Sequence, residues 1–379
     1  MQNTQATTEG SHTGPLAGLR VIEMAGIGPC PFAAMLLSDM GAEVVRIIRP
    51  DATPDDARDS VLRGRRNVQM DLKKPEALAV LLCLVAHADI LVEGFRPGVM
   101  ERLGLGPTAA LAANPRLIYG RITGWGQSGP LAQTAGHDVN YIALTGALAA
   151  IGTADGCPVP PLNLLGDYGG GAMYLLVGIL AALHERSHSG RGQVIDSAMV
   201  DGAASLMSAL YAWKGMGKWP GARGNNLLDG GAPFYGTYRC ADDKFVAIGC
   251  IEGKFFDVML NLMGLSAAEF ALRDEPAAWP RLRGVLADVF RQRTRAEWCT
   301  LLENSDACCA PILTMDEARH HPQVDARGTF TQWNGLSIPA PAPRFSRTRS
   351  KIKEGTVLAW EDASSILGSW TDSCSRWRT

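Results

Sequence analysis

Residues 19–48 read LRVIEMAGIGPCPFAAMLLSDMGAEVVRII, and this stretch decides the fold class. The apolar run Leu19–Met24 predicts a strand, Phe32–Met40 predicts a helix, and Glu43–Ile48 predicts a second strand. Pro31 suits the first position of the helix, because the N–H that proline lacks would have no partner there. The stretch is therefore predicted to be a βαβ unit of a parallel sheet.

The same alternation of short apolar strands and helices continues downstream. Further strands are predicted at 88–93, 117–122 and 192–196, and further helices at 75–86, 99–103 and 198–213. We expect an α/β fold in which helices flank a Rossmann-like parallel sheet. A hairpin at 236–249 and three helices after it predict a second, smaller α+β domain.

Shifts in composition predict the domain boundaries. We expect a disordered tail over 1–14, a large domain over 15–213, and a Gly- and Asn-rich linker over 214–233. The small domain is predicted over 234–330, and residues 331–379 are expected to return to the large domain.

The overall composition narrows the class of protein. The chain has 379 residues, a hydrophobic fraction of 46% and a net charge of −2, which predicts neither a nucleic-acid partner nor a membrane partner. Its nine cysteines include no CxxC pair, which is typical of reduced thiols in the cytoplasm. The most apolar run, Met173–Leu183, is too short to span a bilayer and predicts a buried helix.

Basic residues are concentrated in the first third of the chain, at Arg46, Arg49, Arg63, Arg65, Arg66, Lys73, Lys74, Arg96 and Arg102. A solvated basic face is one interpretation. However, Arg49 and Arg96 follow predicted strands, and ligands of parallel sheets lie beyond the strands' carboxyl ends. A nucleotide with several phosphates is therefore favoured. Nicotinamide or flavin is not expected, because Pro31 occupies the third glycine position of the dinucleotide fingerprint.

Two motifs carry groups capable of proton transfer. His137 lies in Gly136–Tyr141, and Asp167 lies in Leu165–Gly171. Taken singly, each has a structural interpretation, the aspartate as a helix N-cap and the histidine as a loop residue. No Gly-x-Ser-x-Gly elbow supports nucleophilic hydrolysis, and no histidine spacing predicts a metal site.

Together the motifs resemble the α-methylacyl-CoA racemases of the class III CoA-transferase superfamily. The resemblance extends from Gly14 to about Thr348, and its motifs are GPLAGLRV at 14–21, GPCP at 28–31, GAEVVR at 41–46, EGFRPG at 93–98, GWGQ at 124–127, GHD at 136–138, GDYGGG at 166–171, DGGAP at 229–233 and PAPRFS at 341–346. The pairing of His137 with Asp167 points to the racemase branch.

The resemblance implies an acyl-CoA thioester as substrate, an interlocked homodimer and no cofactor beyond the CoA of the substrate. It implies His137 and Asp167 as the two bases, with Asn163 near the aspartate. Glu252 would orient the histidine from the partner subunit. The residues implied to contact CoA are Arg49, Met70, Asp71, Leu72, Lys73, Gly94, Phe95, Arg96, Arg102, Gly136, Asp138, Val139, Asn140 and Tyr141.

The implied reaction interconverts (2R)- and (2S)-2-methylacyl-CoA through an enolate. Inversion in one step needs a base on one face of the α-carbon and an acid on the other, which a His/Asp pair supplies. Backbone N–H groups around Asp138 are candidate donors to the enolate oxygen. Two alternatives remain open, namely a class III CoA-transferase with Asp167 as nucleophile and a non-catalytic CoA-binding protein.

Overall fold

The computed structural model describes residues 14–52, 55–353 and 360–374. The strands, in chain order, are β1 (Arg20–Met24), β2 (Glu43–Ile48), β3 (Arg65–Gln69), β4 (Ile90–Glu93), β5 (Ile118–Thr123), β6 (Val194–Ala198), β7 (Tyr235–Arg239), β8 (Phe245–Gly249), β9 (Cys309–Ile312), β10 (Phe330–Trp333) and β11 (Leu336–Pro339).

The α-helices, in chain order, are α1 (Pro29–Asp39), α2 (Pro75–His87), α3 (Val99–Arg102), α4 (Pro107–Ala113), α5 (Asp138–Leu144), α6 (Ala147–Ala150), α7 (Met173–Ser189), α8 (Met199–Leu206), α9 (Ser208–Gly215), α10 (Gly253–Met263), α11 (Trp279–Phe290), α12 (Arg295–Leu302), α13 (Met315–Ala318), α14 (Pro322–Ala326) and α15 (Ala363–Cys374). A π-helical segment, Leu164–Ala172, leads directly into α7.

Six parallel strands form the main sheet in the order β3-β2-β1-β4-β5-β6. The chain runs outward from β1 in one direction and then returns to start again at β4 on the other side. The loops after β1 and β4 therefore diverge and leave a crevice at the carboxyl edge of the sheet, which is where ligands of such sheets bind. The predicted α/β class with a parallel sheet and flanking helices is confirmed.

Both faces of this sheet are buried, as the apolar strands predict. Neighbouring residues of β1 point to opposite sides: Val21 packs in the cluster that contains α1 and α7, and Ile22 packs in the cluster that contains α2 and α15. Trp370 of α15 is fully buried in the second cluster. The last helix of the chain thus completes one layer of the fold.

The first helix and the helix predicted at 198–213 differ from the prediction. Helix α1 begins at Pro29, so that this proline, and not Pro31, occupies the first position. The single helix predicted at 198–213 is two helices, α8 and α9, which are separated at Met207.

The described residues divide into two compact units. The first contains 14–144, 162–206 and 328–374, apart from the undescribed gaps, and the second contains 145–161 and 207–327. The second unit has the antiparallel sheet β7-β8-β9, and its β7–β8 hairpin matches the one predicted.

The units divide the chain differently from the predicted boundaries. Residues 145–161 join the second unit because Tyr211 donates to the Thr145 carbonyl (2.9 Å) and Arg223 donates to the Ala149 carbonyl (3.0 Å). The predicted linker 214–233 also lies inside this unit. Of the predicted tail, residues 1–13 lie outside the described residues.

The buried helix predicted at 173–183 is longer in the structure. Together with the π-helical segment it runs over Leu164–Ser189, and its length and composition alone would allow it to cross a membrane. Leu175 and Ile179 on one side are fully buried against the sheet, and Val177 on the other side is exposed. Core helices of soluble proteins share this length and composition.

Candidate active site

The first cavity lies at the carboxyl edge of the sheet and has a volume of about 320 Å³. Among the residues that line it are Gly94, Phe95, Arg96, Gly136, His137, Tyr141 and Asp167, all of them predicted site residues. The two predicted bases therefore share one cavity, although 30 positions of sequence and a change of secondary structure separate them.

The second cavity, of about 560 Å³, lies at the ends of β1, β2 and β3. It collects the predicted CoA-binding residues Arg49, Met70, Asp71, Leu72, Lys73 and Phe95. Ile27 and Phe95 line both cavities, so the two adjoin across the loops that follow β1 and β4. This arrangement suits an elongated ligand with a charged end at Arg49 and Lys73.

Asp167 lies in the first turn of the π-helical segment, where Asn163 holds the N-cap position. The Asn163 side-chain amide donates to Asp167 Oδ2 at 3.4 Å. Burial raises the pKa of the Asp167 carboxyl, the nearby Asp138 charge adds to this rise, and the Asn163 hydrogen bond and His137 oppose it. A carboxyl with a raised pKa keeps its proton more readily and can act as an acid.

Glycines allow the Asp167 segment to lie against its neighbours. A Cβ on Gly170 would lie 2.6 Å from the Ala203 backbone nitrogen of α8, and a Cβ on Gly202 would overlap the Gly170 carbonyl. On the other side, a Cβ on Gly28 would lie 3.1 Å from Asp167 Oδ2. The π-helical segment thus packs closely on α8, and the loop after β1 borders the Asp167 carboxyl.

His137 is exposed and directly precedes α5. Its carbonyl accepts from the Asn140 N–H (2.8 Å), and its own N–H donates to Asn140 Oδ1 (3.0 Å). The Tyr141 hydroxyl donates to the Gly136 carbonyl, and the Tyr141 ring fills the space beside Gly124 that a side chain there would need. Asn140 and Tyr141 therefore hold the histidine loop.

Several predicted CoA contacts lie elsewhere. Asp138 is only 6% exposed, and its carboxylate accepts from the backbone N–H groups of Gly166 and Asp167. Arg102, Val139 and Asn140 line neither cavity, although all three are exposed. For these residues the predicted roles stay predictions.

Four arginines of the basic cluster form ion pairs within the protein. Arg63 pairs with Asp39 at 2.5 Å and Arg65 pairs with Glu23 at 2.9 Å, both in buried positions, and Arg66 pairs with Glu43 and Glu361. Arg46 pairs with Asp55 at 2.6 Å. These guanidinium groups neutralise buried or half-buried carboxylates, which leaves Arg49, Lys73 and Arg96 as the exposed cations at the cavities.

Glu93 shapes the loop after β4 and was not predicted as a site residue. It is fully buried, accepts from the Phe95 N–H (2.8 Å) and from Arg121 Nε (2.8 Å), and burial raises the pKa of its carboxyl. The EGFRPG motif indicated this role, because Glu93 directly precedes the predicted ligand-binding loop and can accept hydrogen bonds that fix the turn of that loop.

Glu252 belongs to the second unit, where it is exposed and forms the N-cap of α10. The Glu252 carbonyl accepts from the Phe255 and Phe256 N–H groups. In the described parts of the chain, no group of three or more His, Cys, Asp or Glu side chains is arranged to hold a metal ion.

Comparison with known proteins adds to this geometry. The sequence profile of CoA-transferase family III matches residues 16–356. The chain is 48% identical to "Alpha-methylacyl-CoA racemase" of Mus musculus and 45% identical to that of Homo sapiens, each over 88% of this chain and 87% of the relative. A solved CaiB/BaiF family protein from Brucella suis superposes with a TM-score of 0.79 at 26% identity, covering 95% of this chain and 100% of that one. The chain belongs to CoA-transferase family III.

Proposed function

We propose that this protein is an isomerase that interconverts (2R)- and (2S)-2-methylacyl-CoA thioesters. The observation that carries the proposal is the presence of His137 and Asp167 in one cavity, beside a second cavity with exposed cations. The two mammalian relatives that are 45–48% identical to this chain carry the racemase name. The matched region covers 88% of the chain.

The reaction proceeds by two proton transfers at the α-carbon. One base removes the proton to give an enolate, and the other group delivers a proton to the opposite face. His137 and Asp167 exchange these roles with the direction of reaction. When neutral His137 is the base, Asp167 must be protonated, and the raised pKa of the Asp167 carboxyl supports that state.

The substrate is proposed to lie across both cavities. The phosphates of CoA bind near Arg49 and Lys73, and the thioester passes Ile27 and Phe95 to reach the first cavity. The backbone N–H groups of Asp138 and Val139, at the start of α5, are the proposed donors to the enolate oxygen. All proton transfers use side chains of the chain itself, so the proposal needs no cofactor.

We propose a cytoplasmic homodimer in which Glu252 of the second copy orients His137. Helix α7 has an apolar stripe in which Met173, Val177 and Leu180 are all exposed. We propose that a second copy of the chain binds this stripe. Such stripes are rare on the surface of monomeric proteins. Replacement of Glu252 by Gln would then lower kcat, and light scattering would give a dimer mass.

The direct test uses one enantiomer of a 2-methylacyl-CoA in D₂O, with NMR for α-deuterium and chiral analysis of the acid released from the thioester. Racemase activity gives deuterium incorporation together with inversion. The absence of both exchange and inversion, at enzyme concentrations that bind the thioester, would contradict the proposal. It would leave a CoA-transferase or a non-catalytic CoA-binding protein.

A CoA-transferase is the second candidate, and the name of the matched family supports it. There Asp167 would attack the thioester carbonyl, release CoA thiolate and form an acyl-aspartyl anhydride. The half-buried Asp167 carboxyl in the cavity suits this step as well. Transfer of CoA to a free carboxylate that requires Asp167 but not His137 would favour this candidate.

A further inference from the structure

The Asp138 carboxylate connects the two segments that carry His137 and Asp167. Its Oδ2 accepts from the backbone N–H of Gly166 at 2.6 Å and from that of Asp167 at 2.7 Å. Asp138 directly follows His137 in the chain. One carboxylate therefore bonds the loop of the first base to the main chain of the second.

The bond is specific and buried. Asp138 is 6% exposed, and its other oxygen, Oδ1, is buried without a hydrogen-bond partner. A Cβ on Gly166 would lie 2.6 Å from Oδ2, so only glycine lets the carboxylate approach the two N–H groups. Burying a charge at such a site is costly, and a neutral residue would suffice if the site only had to fill space.

We propose that Asp138 is a positioning residue that fixes His137 and Asp167 relative to each other, so that proton removal is coupled to delivery on the opposite face. This inference rests on the proposed racemase function. A misplacement of about 1 Å between catalytic groups costs on the order of 100-fold in rate. A carboxylate bonded to both segments prevents such a misplacement.

The coupling has a measurable signature. A base that removes a proton and returns it after exchange with solvent gives α-deuterium with retention of configuration. Correctly placed bases deliver the proton to the other face and give deuterium with inversion. The ratio of retention to inversion therefore measures the relative placement of the bases. It does not depend on the fraction of molecules that is folded.

The experiment compares wild type with Asp138→Ala, Asp138→Asn and Gly166→Ala in D₂O with a single enantiomer. Asp138→Ala removes the acceptor, so inversion is expected to fall roughly 100-fold and the retention-to-inversion ratio to rise severalfold. Asp138→Asn keeps an oxygen that accepts both N–H groups and is expected to retain the wild-type ratio. Gly166→Ala displaces the carboxylate from the other side and gives a second readout if Asp138→Ala does not fold.

A matched control is Asp89→Ala in the same unit. Asp89 also accepts a backbone N–H, that of Arg20 at 3.0 Å, and pairs with Arg186 at 2.9 Å. Its loss is expected to lower the melting temperature but to leave the ratio unchanged. Wild-type ratios in both Asp138→Ala and Gly166→Ala, or in the one that folds, would overturn the inference. An unchanged kcat with a raised KM in Asp138→Ala would also overturn it. A wild type without inversion would instead overturn the proposed function.

Discussion

Gly28 and Asp167 are in close approach: a Cβ on Gly28 would lie 3.1 Å from Asp167 Oδ2 and 3.6 Å from its Cγ. Gly28 also has a φ of +68°, a conformation that other residues adopt only at a cost. The loop after β1 therefore borders the Asp167 carboxyl. A side chain at position 28 would push against this carboxyl, so the site requires glycine there.

Gly28→Ala is expected to lower kcat severalfold with little change in KM, because the new methyl forces a small shift of the Asp167 carboxyl. Steady-state kinetics checks this. Gly18→Ala is the matched control, since Gly18 has a φ of +90° but no atom within 4 Å of an added Cβ. It carries the same backbone cost, roughly 1–2 kcal/mol, and should keep kcat. Equal losses of kcat in the two variants would attribute the effect to the backbone alone.

The pH dependence of activity should report the His137–Asp167 pair. Both active forms hold one proton on the pair, so kcat/KM has the same acid limb in both directions. Activity is lost as pH falls and Asp167 becomes protonated beside protonated His137. Burial raises the pKa of the Asp167 carboxyl above its ordinary value of 3.8, so this limb lies at a higher pH than for an exposed aspartate.

Asn163→Ala removes a hydrogen bond that lowers the pKa of Asp167. The acid limb of kcat/KM should therefore move to higher pH. Asn114→Ala, which removes an amide that donates to the Val85 and Ala88 carbonyls far from the cavity, should leave the limb unchanged. A shift of the limb to lower pH in Asn163→Ala would be incompatible with this account.

Glu93→Gln should weaken substrate binding more than chemistry. The amide can replace only one of the two acceptor oxygens, so either the Phe95 N–H or Arg121 loses its partner, at a cost of about 1–3 kcal/mol in stability. We expect a severalfold rise in KM for the CoA thioester. Glu101→Gln is the control, since it pairs with the same Arg121 from a position that is 44% exposed. Equal effects of the two variants on KM and melting temperature would refute the role of Glu93.

Arg49→Ala should raise KM about tenfold for an acyl-CoA, because a charge-assisted contact to phosphate is lost. With an acyl-pantetheine thioester, which lacks the nucleotide, Arg49→Ala and wild type should have the same KM. Arg58→Ala, at an exposed arginine that pairs with Asp56 and lines neither cavity, is the control. A similar rise in KM with both substrates in Arg49→Ala would show that Arg49 does not contact the phosphates.

The sequence predicts those parts of the fold that local patterns determine. The strand Glu43–Ile48 has the predicted bounds, because apolar β-branched residues between glycine and proline define it locally. The resemblance to the racemases implies that His137 and Asp167 share a site, and both residues line one cavity.

Local sequence patterns do not predict which distant residues pair in the folded chain. Nothing local to Arg63 or Arg65 indicates that Asp39 or Glu23 neutralises it, so the sequence shows both only as members of a cluster of basic residues. Likewise, residues 145–161 join the second unit through partners that are 66 and 74 positions away. These contacts depend on the assembled fold.

The central claim is that His137 and Asp167 act on opposite faces of one α-carbon. The most direct measurement is α-deuterium exchange of each pure enantiomer with His137→Ala and with Asp167→Ala. We predict that neither variant inverts the substrate, that each still exchanges the α-proton of only one enantiomer, and that the two variants act on opposite enantiomers. Exchange of the same enantiomer by both variants, or inversion by either, would contradict it.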